Sequence, residues 1–136
     1  MVAHIDAVLD GARRRAPAKR PRVLAIIDRE AGGLGNLVAA GPGSWLDELI
    51  AVVGGDNVLA ASGVRYPKIS LEEVLRAQPE VIIDVSYAAR TETTSWDAVN
   101  VPAVTNHAVH AMQDAYLQGP SPRVKAALDA LAQVVR

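Results

Sequence analysis

The chain has no cysteine and no phenylalanine, and its aromatic residues are two tryptophans and three tyrosines among 136 residues. The absence of cysteine excludes disulfides, thiolate metal sites and cysteine nucleophiles. The formal net charge is −1, so electrostatics give no reason to expect nucleic acid or an anionic membrane as a partner. No apolar run approaches the length needed to cross a bilayer. Met1 leads directly into VAHIDAVL, which lacks the basic and apolar regions of an export signal.

The residues that are present indicate a single α/β domain. Half of them are hydrophobic, and residues 22–27 (RVLAII) and 81–85 (VIIDV) are short, apolar and β-branched, which is typical of strands covered on both faces. Helical patterns alternate with these strands. The order therefore predicts a Rossmann-like three-layer lobe, in which helices cover both faces of a mostly parallel central sheet.

Two helix starts carry capping signals. Ser44 precedes Asp47 by three residues, and Ser70 precedes Glu73 by three, the spacing at which a hydroxyl and a carboxylate satisfy backbone N–H groups. Gly54-Gly55 offers a residue free to take positive φ at the first helix end. Apolar spacing predicts the inward faces of three helices: Leu46, Leu49, Ile50 and Val53; Leu71, Val74 and Leu75; and Val124, Ala127, Leu128, Leu131 and Val135.

The remaining segments are predicted from local composition. We expect an amphipathic helix over residues 3–15, strands at 37–40, 57–59 and 108–112, a loop at 60–69, a short helix at 95–100 and an extended piece from Pro102. Trp45 and Trp96 are interpreted as side chains packed against helices.

Two glycine-rich stretches suggest phosphate or anion binding. Gly32-Gly33-Leu34-Gly35 follows a strand, but the third glycine of a dinucleotide loop is absent and the chain that follows reads as extended. Gly41-Pro42-Gly43-Ser44 opens a helix whose N–H groups could hold an anion, but a tight turn with an N-cap is the favoured interpretation.

The histidines and serines do not suggest catalysis. His107 and His110 are three apart in a turn and strand, where that spacing places them on opposite faces, and His4 is far away in sequence. Ser44 and Ser70 are explained as helix caps rather than nucleophiles.

The order of motifs resembles a known family. GPGSWLDELIAVVGG (41–55) followed by VRYPKISLEEVLRAQPEVII (64–83) is similar to the C-terminal lobe of class III periplasmic binding proteins, which feed vitamin B12, iron-siderophore and haem ABC importers. The resemblance implies that residues 1–20 are the end of an inter-lobe helix with its linker and 21–136 a ligand-binding lobe. It also implies that the N-terminal lobe and the export signal lie outside this chain.

Candidate ligand-binding residues come partly from position and partly from this resemblance. Tyr66 lies in a loop that Pro67 holds extended, where an aromatic ring is well placed to stack on a flat ligand, and it matches the family's ligand-packing aromatic. Tyr116 matches a ligand-facing loop, and the Gly41 turn would help to cover the ligand. Tyr87 follows the carboxyl end of a strand, the edge at which α/β sheets bind ligands. Arg29 ends the first strand, and either an anionic ligand or a surface salt bridge would explain it.

Glu72 has two interpretations. Glu73 is at the capping position, so Glu72 projects from the first helical turn, where a solvated carboxylate is favoured by the helix dipole. The resemblance instead matches Ser70-Leu71-Glu72 to the family's Ser-x-Glu, whose glutamate docks onto arginines of the permease.

Together these features imply non-enzymatic capture of cobalamin, haem or a ferric siderophore, without a resident cofactor, and delivery to an ABC permease. The expected location is periplasmic, or on the outer face of the cytoplasmic membrane as a lipoprotein. Two alternatives stay open: a Rossmann-type nucleotide-binding enzyme domain, and an orphan lobe that dimerises through its exposed inter-lobe face.

Overall fold

The computed structural model describes residues 20–90, 94–112 and 124–135, and within these ranges the strands form one six-stranded sheet. The strands are β1 (Arg22–Asp28), β2 (Leu37–Ala39), β3 (Asp56–Asn57), β4 (Lys68–Ile69), β5 (Val81–Asp84) and β6 (Val109–Ala111). The helices are α1 (Trp45–Val52), α2 (Leu71–Ala77), α3 (Pro102–Thr105) and α4 (Val124–Val135), with 3-10 turns at Tyr87–Arg90 and Thr94–Ala98.

Strand β1 is the centre of the sheet. The order is β4-β2-β1-β5-β6, with β3 pairing the start of β1. The pairs β1–β5, β5–β6 and β1–β3 are parallel, whereas β2 runs antiparallel to both β1 and β4. The predicted mostly parallel α/β sheet is therefore confirmed, with one antiparallel hairpin at the β1–β2 connection. No helix of the described ranges combines the length and the apolar character needed to cross a bilayer.

Alternate residues of β1 enter two separate cores, because successive strand side chains point to opposite faces. Val23 and Ala25 pack with the buried stripes of α1 and α4, which confirms the predicted faces of both helices. Leu24 and Ile26 pack on the other face with residues of α2, α3 and the second 3-10 turn. The helices thus cover both faces of the sheet, as the pattern predicted.

Both predicted caps are present. The Ser44 hydroxyl accepts from Asp47 N at 3.1 Å, and the Asp47 carboxylate reaches back to accept from Gly43 N at 3.2 Å. Ser70 and Glu73 form a reciprocal capping box. At the end of α1, Gly54 takes a φ of 95°, which is the conformation predicted for this pair of glycines.

Three local predictions were wrong. The chain from Pro102 is a turn of helix rather than an extended piece, since proline suits the first helical position. The 60–69 segment, predicted as loop, ends in β4, which is recognised only through its pairing with β2. In α2 only Val74 is buried, while Leu71 and Leu75 remain 40% and 39% exposed. The predicted helix at 3–15 lies outside the described residues.

Candidate functional site

Tyr66 lies on a segment whose backbone is held against the sheet edge. Ala39 N donates to Pro67 O at 3.0 Å and Gly41 N donates to Arg65 O at 2.7 Å. The β2–β4 pairing therefore continues beyond both strands, and Tyr66 lies between the two bonded residues. The residue itself is 49% exposed. The predicted combination of a stiff backbone and an exposed ring is thus present, and contact of that ring with a ligand stays a prediction.

Gly41 lies beside this segment and packs closely against it. It is buried, and a Cβ at this position would overlap the carbonyl oxygen of Val64 and lie 3.0 Å from Cδ of Pro67. Only glycine allows these two segments of the chain to approach so closely. Gly41 therefore lies directly beside the Tyr66 segment and sets how closely the two segments approach, and the contact of the Gly41 turn with a ligand stays a prediction.

The turn before α1 uses its own donors. Gly43 N donates to the Asp47 carboxylate, and Asp47 N donates to the Ser44 hydroxyl. The Ser44 hydroxyl in turn donates to Gly41 O at 2.8 Å. Asn57 joins the same corner, because its side-chain amide donates to Ala40 O and to Asp47 Oδ1, each at 2.9 Å. This arrangement favours the capped turn over an anion site.

Arg29 is buried. Its Nε donates to Asp84 Oδ2 at 2.7 Å, both side chains are fully excluded from solvent, and its Nη1 donates to Gly33 O at 2.7 Å. Neither a ligand-facing arginine nor a surface salt bridge describes this side chain, so both interpretations are corrected. The physical reason is that the carboxyl ends of β1 and β5 are adjacent and bring the two charges together.

Asp84 is the centre of a buried polar network. Besides Arg29 it accepts from Trp96 Nε1 at 3.0 Å and from the backbone N of Ser86 at 3.0 Å, and the Ser86 hydroxyl also bonds it. Trp96 is packed in the core, as predicted, and Trp45, the first residue of α1, is partly buried against the core. Sequence reasoning did not single out Asp84, although a carboxylate in the apolar run VIIDV was a detectable signal.

Tyr87 begins the 3-10 turn that follows β5. It lies directly beyond the carboxyl end of that strand and is 75% exposed. This is the edge position predicted for it. Ser86, which precedes it, is bonded to Asp84 through both its hydroxyl and its backbone N–H, so the base of the turn is held by the buried network.

Glu72 is exposed in the first turn of α2. Among residues 20–90, 94–112 and 124–135 its carboxylate has no hydrogen bond or ion pair, in contrast to that of its neighbour Glu73. The placement predicted from the capping box is present. Both the solvated and the docking interpretation are compatible with this geometry.

The other candidates are weakened or lie outside the described residues. The Gly32–Gly35 stretch is the tip of the connection between antiparallel β1 and β2 and does not lead into a helix, which removes the structural context of a dinucleotide loop. The described part of the chain holds no group of three residues suited to a metal ion. Tyr116 and His4 lie outside the described ranges.

Comparison with known proteins gives consistent matches. A sequence model of a family described as periplasmic binding protein matches residues 1–116. The vitamin B12-binding protein of Vibrio cholerae is 36% identical over 100 residues, which are 72% of this chain and 35% of that protein.

Solved structures agree with the sequence relatives. The apo periplasmic heme-binding protein RhuT from Roseiflexus is 28% identical with a TM-score of 0.78, over 98% of this chain and 53% of RhuT. The vitamin B12 binding protein BtuF of Vibrio cholerae is 28% identical with a TM-score of 0.76, over 96% of this chain and 50% of BtuF. The chain therefore spans about a third of the length of the curated relatives it matches and about half of these solved structures.

Proposed function

This chain belongs to the periplasmic binding protein family, and from that premise we propose that it is one lobe of a class III substrate-binding protein that captures cobalamin or haem for an ABC importer. The two ligands are those in the names of its relatives. The proposed activity is non-enzymatic capture outside the cytoplasm. A ferric siderophore is a third ligand to test.

The observation that carries this proposal is the exposed ring of Tyr66 on a backbone held by two main-chain hydrogen bonds. A ring on a fixed backbone can stack on a flat ligand with little loss of conformational entropy at binding. Tyr87 is a second exposed tyrosine, beyond the carboxyl end of β5. Three strand spacings separate β4 from β5, roughly 14 Å, and Tyr66 lies level with the middle of β1 whereas Tyr87 lies past its carboxyl end, so a ligand that contacts both tyrosines would have to be bulky.

A single lobe would contact only one side of such a ligand. Ligand pockets in proteins enclose most of the ligand surface, so we expect weak or undetectable binding of cyanocobalamin and haemin by this chain alone. Titration followed by tryptophan fluorescence measures it, since Trp45 and Trp96 provide the signal. Tight binding by the isolated chain would contradict the half-site argument.

Joining the chain to a second lobe tests the function directly. A chimera with the N-terminal lobe of the Vibrio cholerae relative should bind cyanocobalamin or haemin, and Tyr66→Ala should weaken binding by roughly one order of magnitude. Tyr66→Phe is the matched control, because it retains the ring and should retain most of the affinity. The proposed ligands are wrong if the chimera folds but binds neither cyanocobalamin, haemin nor a ferric hydroxamate.

We further propose that Glu72 docks onto basic residues of the permease. Its carboxylate is exposed in the first turn of α2, where a charged pair would govern orientation and association rate more than affinity. Glu72→Ala in the two-lobe protein should slow association with permease in liposomes and leave ligand affinity intact. Glu73→Ala is the control, since it breaks the capping box and lowers stability without removing the docking charge. Loss of ligand affinity in Glu72→Ala would refute the docking role.

A further inference from the structure

The two central parallel strands are bridged by an ion pair at each end. At the amino ends, Arg22 Nη1 lies 3.4 Å from Glu80 Oε1 with both side chains partly exposed. At the carboxyl ends, Arg29 Nε lies 2.7 Å from Asp84 Oδ2 with both side chains fully buried. The first pair is of the kind that contributes little to stability, whereas the second has lost its hydration.

The buried carboxylate connects three segments of chain at that edge. Asp84 accepts from Arg29 after β1, from Ser86 after β5 and from Trp96 in the second 3-10 turn. The network continues outward on two sides. Arg29 Nη1 donates to Gly33 O, and Ala89 N donates to Ser86 Oγ at 3.3 Å, so the connection after β1 and the turn after β5 are both attached to it.

Such a network is an inefficient source of stability. The attraction between two buried charges commonly offsets little more than the free-energy cost of removing both from water. Apolar residues of similar volume would stabilise the same position as well or better. Its distinctive property is geometric, since hydrogen bonds in fixed directions define one arrangement of the three segments. The segments it defines are those that bear Tyr87 and flank the carboxyl edge of the sheet.

We propose that Asp84 is a positioning residue: through Arg29, Ser86 and Trp96 it holds the segments 29–35 and 85–90 in one arrangement and so presents Tyr87 to the ligand. The part concerning the ligand rests on the proposed function; the ordering of the two segments does not. Asp84 acts through its neighbours, because its own side chain is fully buried and cannot touch a ligand in this arrangement.

Amide hydrogen exchange of the 136-residue chain tests the ordering. In Asp84→Asn, exchange in the peptides covering 29–35 and 85–90 should rise at least about tenfold, while the strands β1 and β5 keep most of their protection. Glu80→Gln is the matched control, since it breaks the pair at the opposite ends of the same strands and should leave both segments unchanged. Unchanged exchange in the two segments, or an equal rise throughout the chain, would overturn the proposal.

A milder variant covers the case in which Asp84→Asn does not fold. Trp96→Phe keeps an aromatic ring in the core and removes one donor to Asp84. It should raise exchange in 85–90 selectively. A uniform rise, or none, in this variant would overturn the proposal equally.

The role in ligand binding is tested in the two-lobe chimera, with cyanocobalamin and haemin as probes. Asp84→Asn should weaken binding by roughly tenfold, the size expected when a loop has to be ordered at the moment of binding. Tyr87→Ala should weaken binding less in the Asp84→Asn background than in the parent, because the two changes act on one contact. Additive losses would refute the route through Tyr87. A parent chimera that binds neither probe would refute the proposed function, and the exchange result would still decide whether Asp84 orders the two segments.

Discussion

Gly41→Ala tests how the Tyr66 segment is supported. The added methyl group would overlap the Val64 carbonyl oxygen, which is main-chain and cannot rotate away, and would lie 3.0 Å from Cδ of Pro67. To restore a normal contact the segment has to move by roughly 1 Å. That movement would stretch the 2.7 Å hydrogen bond from the residue-41 amide to Arg65 O.

The expected cost follows from these contacts. Overpacking of this kind costs about 1–3 kcal/mol, and the lower chain entropy of unfolded alanine offsets about 0.4–1 kcal/mol. The middle of these ranges leaves a net cost of about 1.3 kcal/mol, and for a chain of this length each kcal/mol lowers the melting temperature by roughly 3–4 °C, so we expect a decrease of about 4–5 °C. The displaced ring of Tyr66 should also bind ligand more weakly in the two-lobe chimera.

Gly63→Ala is the matched control within the same segment. Gly63 has a φ of +75° and no atom within 4 Å of its added Cβ, so alanine there is strained by about 1–2 kcal/mol without pushing on a neighbour. The two variants should lose similar stability, but only Gly41→Ala should lose exchange protection at the residue-41 amide. Thermal unfolding followed by circular dichroism and amide exchange measure both quantities. A Gly41→Ala protein with parental melting temperature and an intact residue-41 amide would refute the steric reasoning.

Three further predictions concern stability. Ser70→Ala removes the side-chain cap of α2 and should cost about 1 kcal/mol, seen as a melting temperature roughly 3 °C lower, and no change would show that the cap is dispensable. Asn57→Ala leaves Ala40 O and Leu59 N without their side-chain partner and should cost about 2 kcal/mol in urea unfolding, more than Ser70→Ala; the reverse order would contradict the buried role of Asn57. Burial lowers the pKa of His110 below its ordinary 6.5, so the unfolded state binds more protons just below that pH, and stability present above pH 6.5 declines as the pH falls. His110→Gln should flatten this decline between about pH 7.5 and 5.5, and an equally steep decline in the variant would assign it to other groups.

Local features of the fold were predictable because their causes are local. A serine three residues before a carboxylate, just ahead of an apolar helical pattern, favours a helix cap, and the apolar spacing of α4 defines one face of that helix without reference to its packing partner. The strands β1 and β5 were recognised from β-branched apolar runs. By contrast, β4 has two residues and no such run, and it exists because Leu37 and Val38 offer it partners.

The site predictions likewise succeeded where the cause is local and failed where it is not. Tyr66 was identified from a local property, a ring before a proline, together with the family resemblance, and its exposure agrees. Arg29 was misplaced, because its environment depends on a carboxylate 55 positions away in the chain. Leu71 and Leu75 have helical spacing, yet the surface opposite them is not covered in the described structure, so spacing alone could not predict their burial.

Residue order was enough to establish the alternation of strands and helices, the helix ends and the family resemblance, because each depends on neighbours a few positions apart. Folding was required to establish that Gly41 packs beside the Tyr66 segment and that Asp84 joins Arg29, Ser86 and Trp96 in one buried network. Those contacts join residues that are up to 55 positions apart, and they exist because the β1–β5 pairing and the β2–β4 ladder bring the two pairs of strand ends within hydrogen-bond distance.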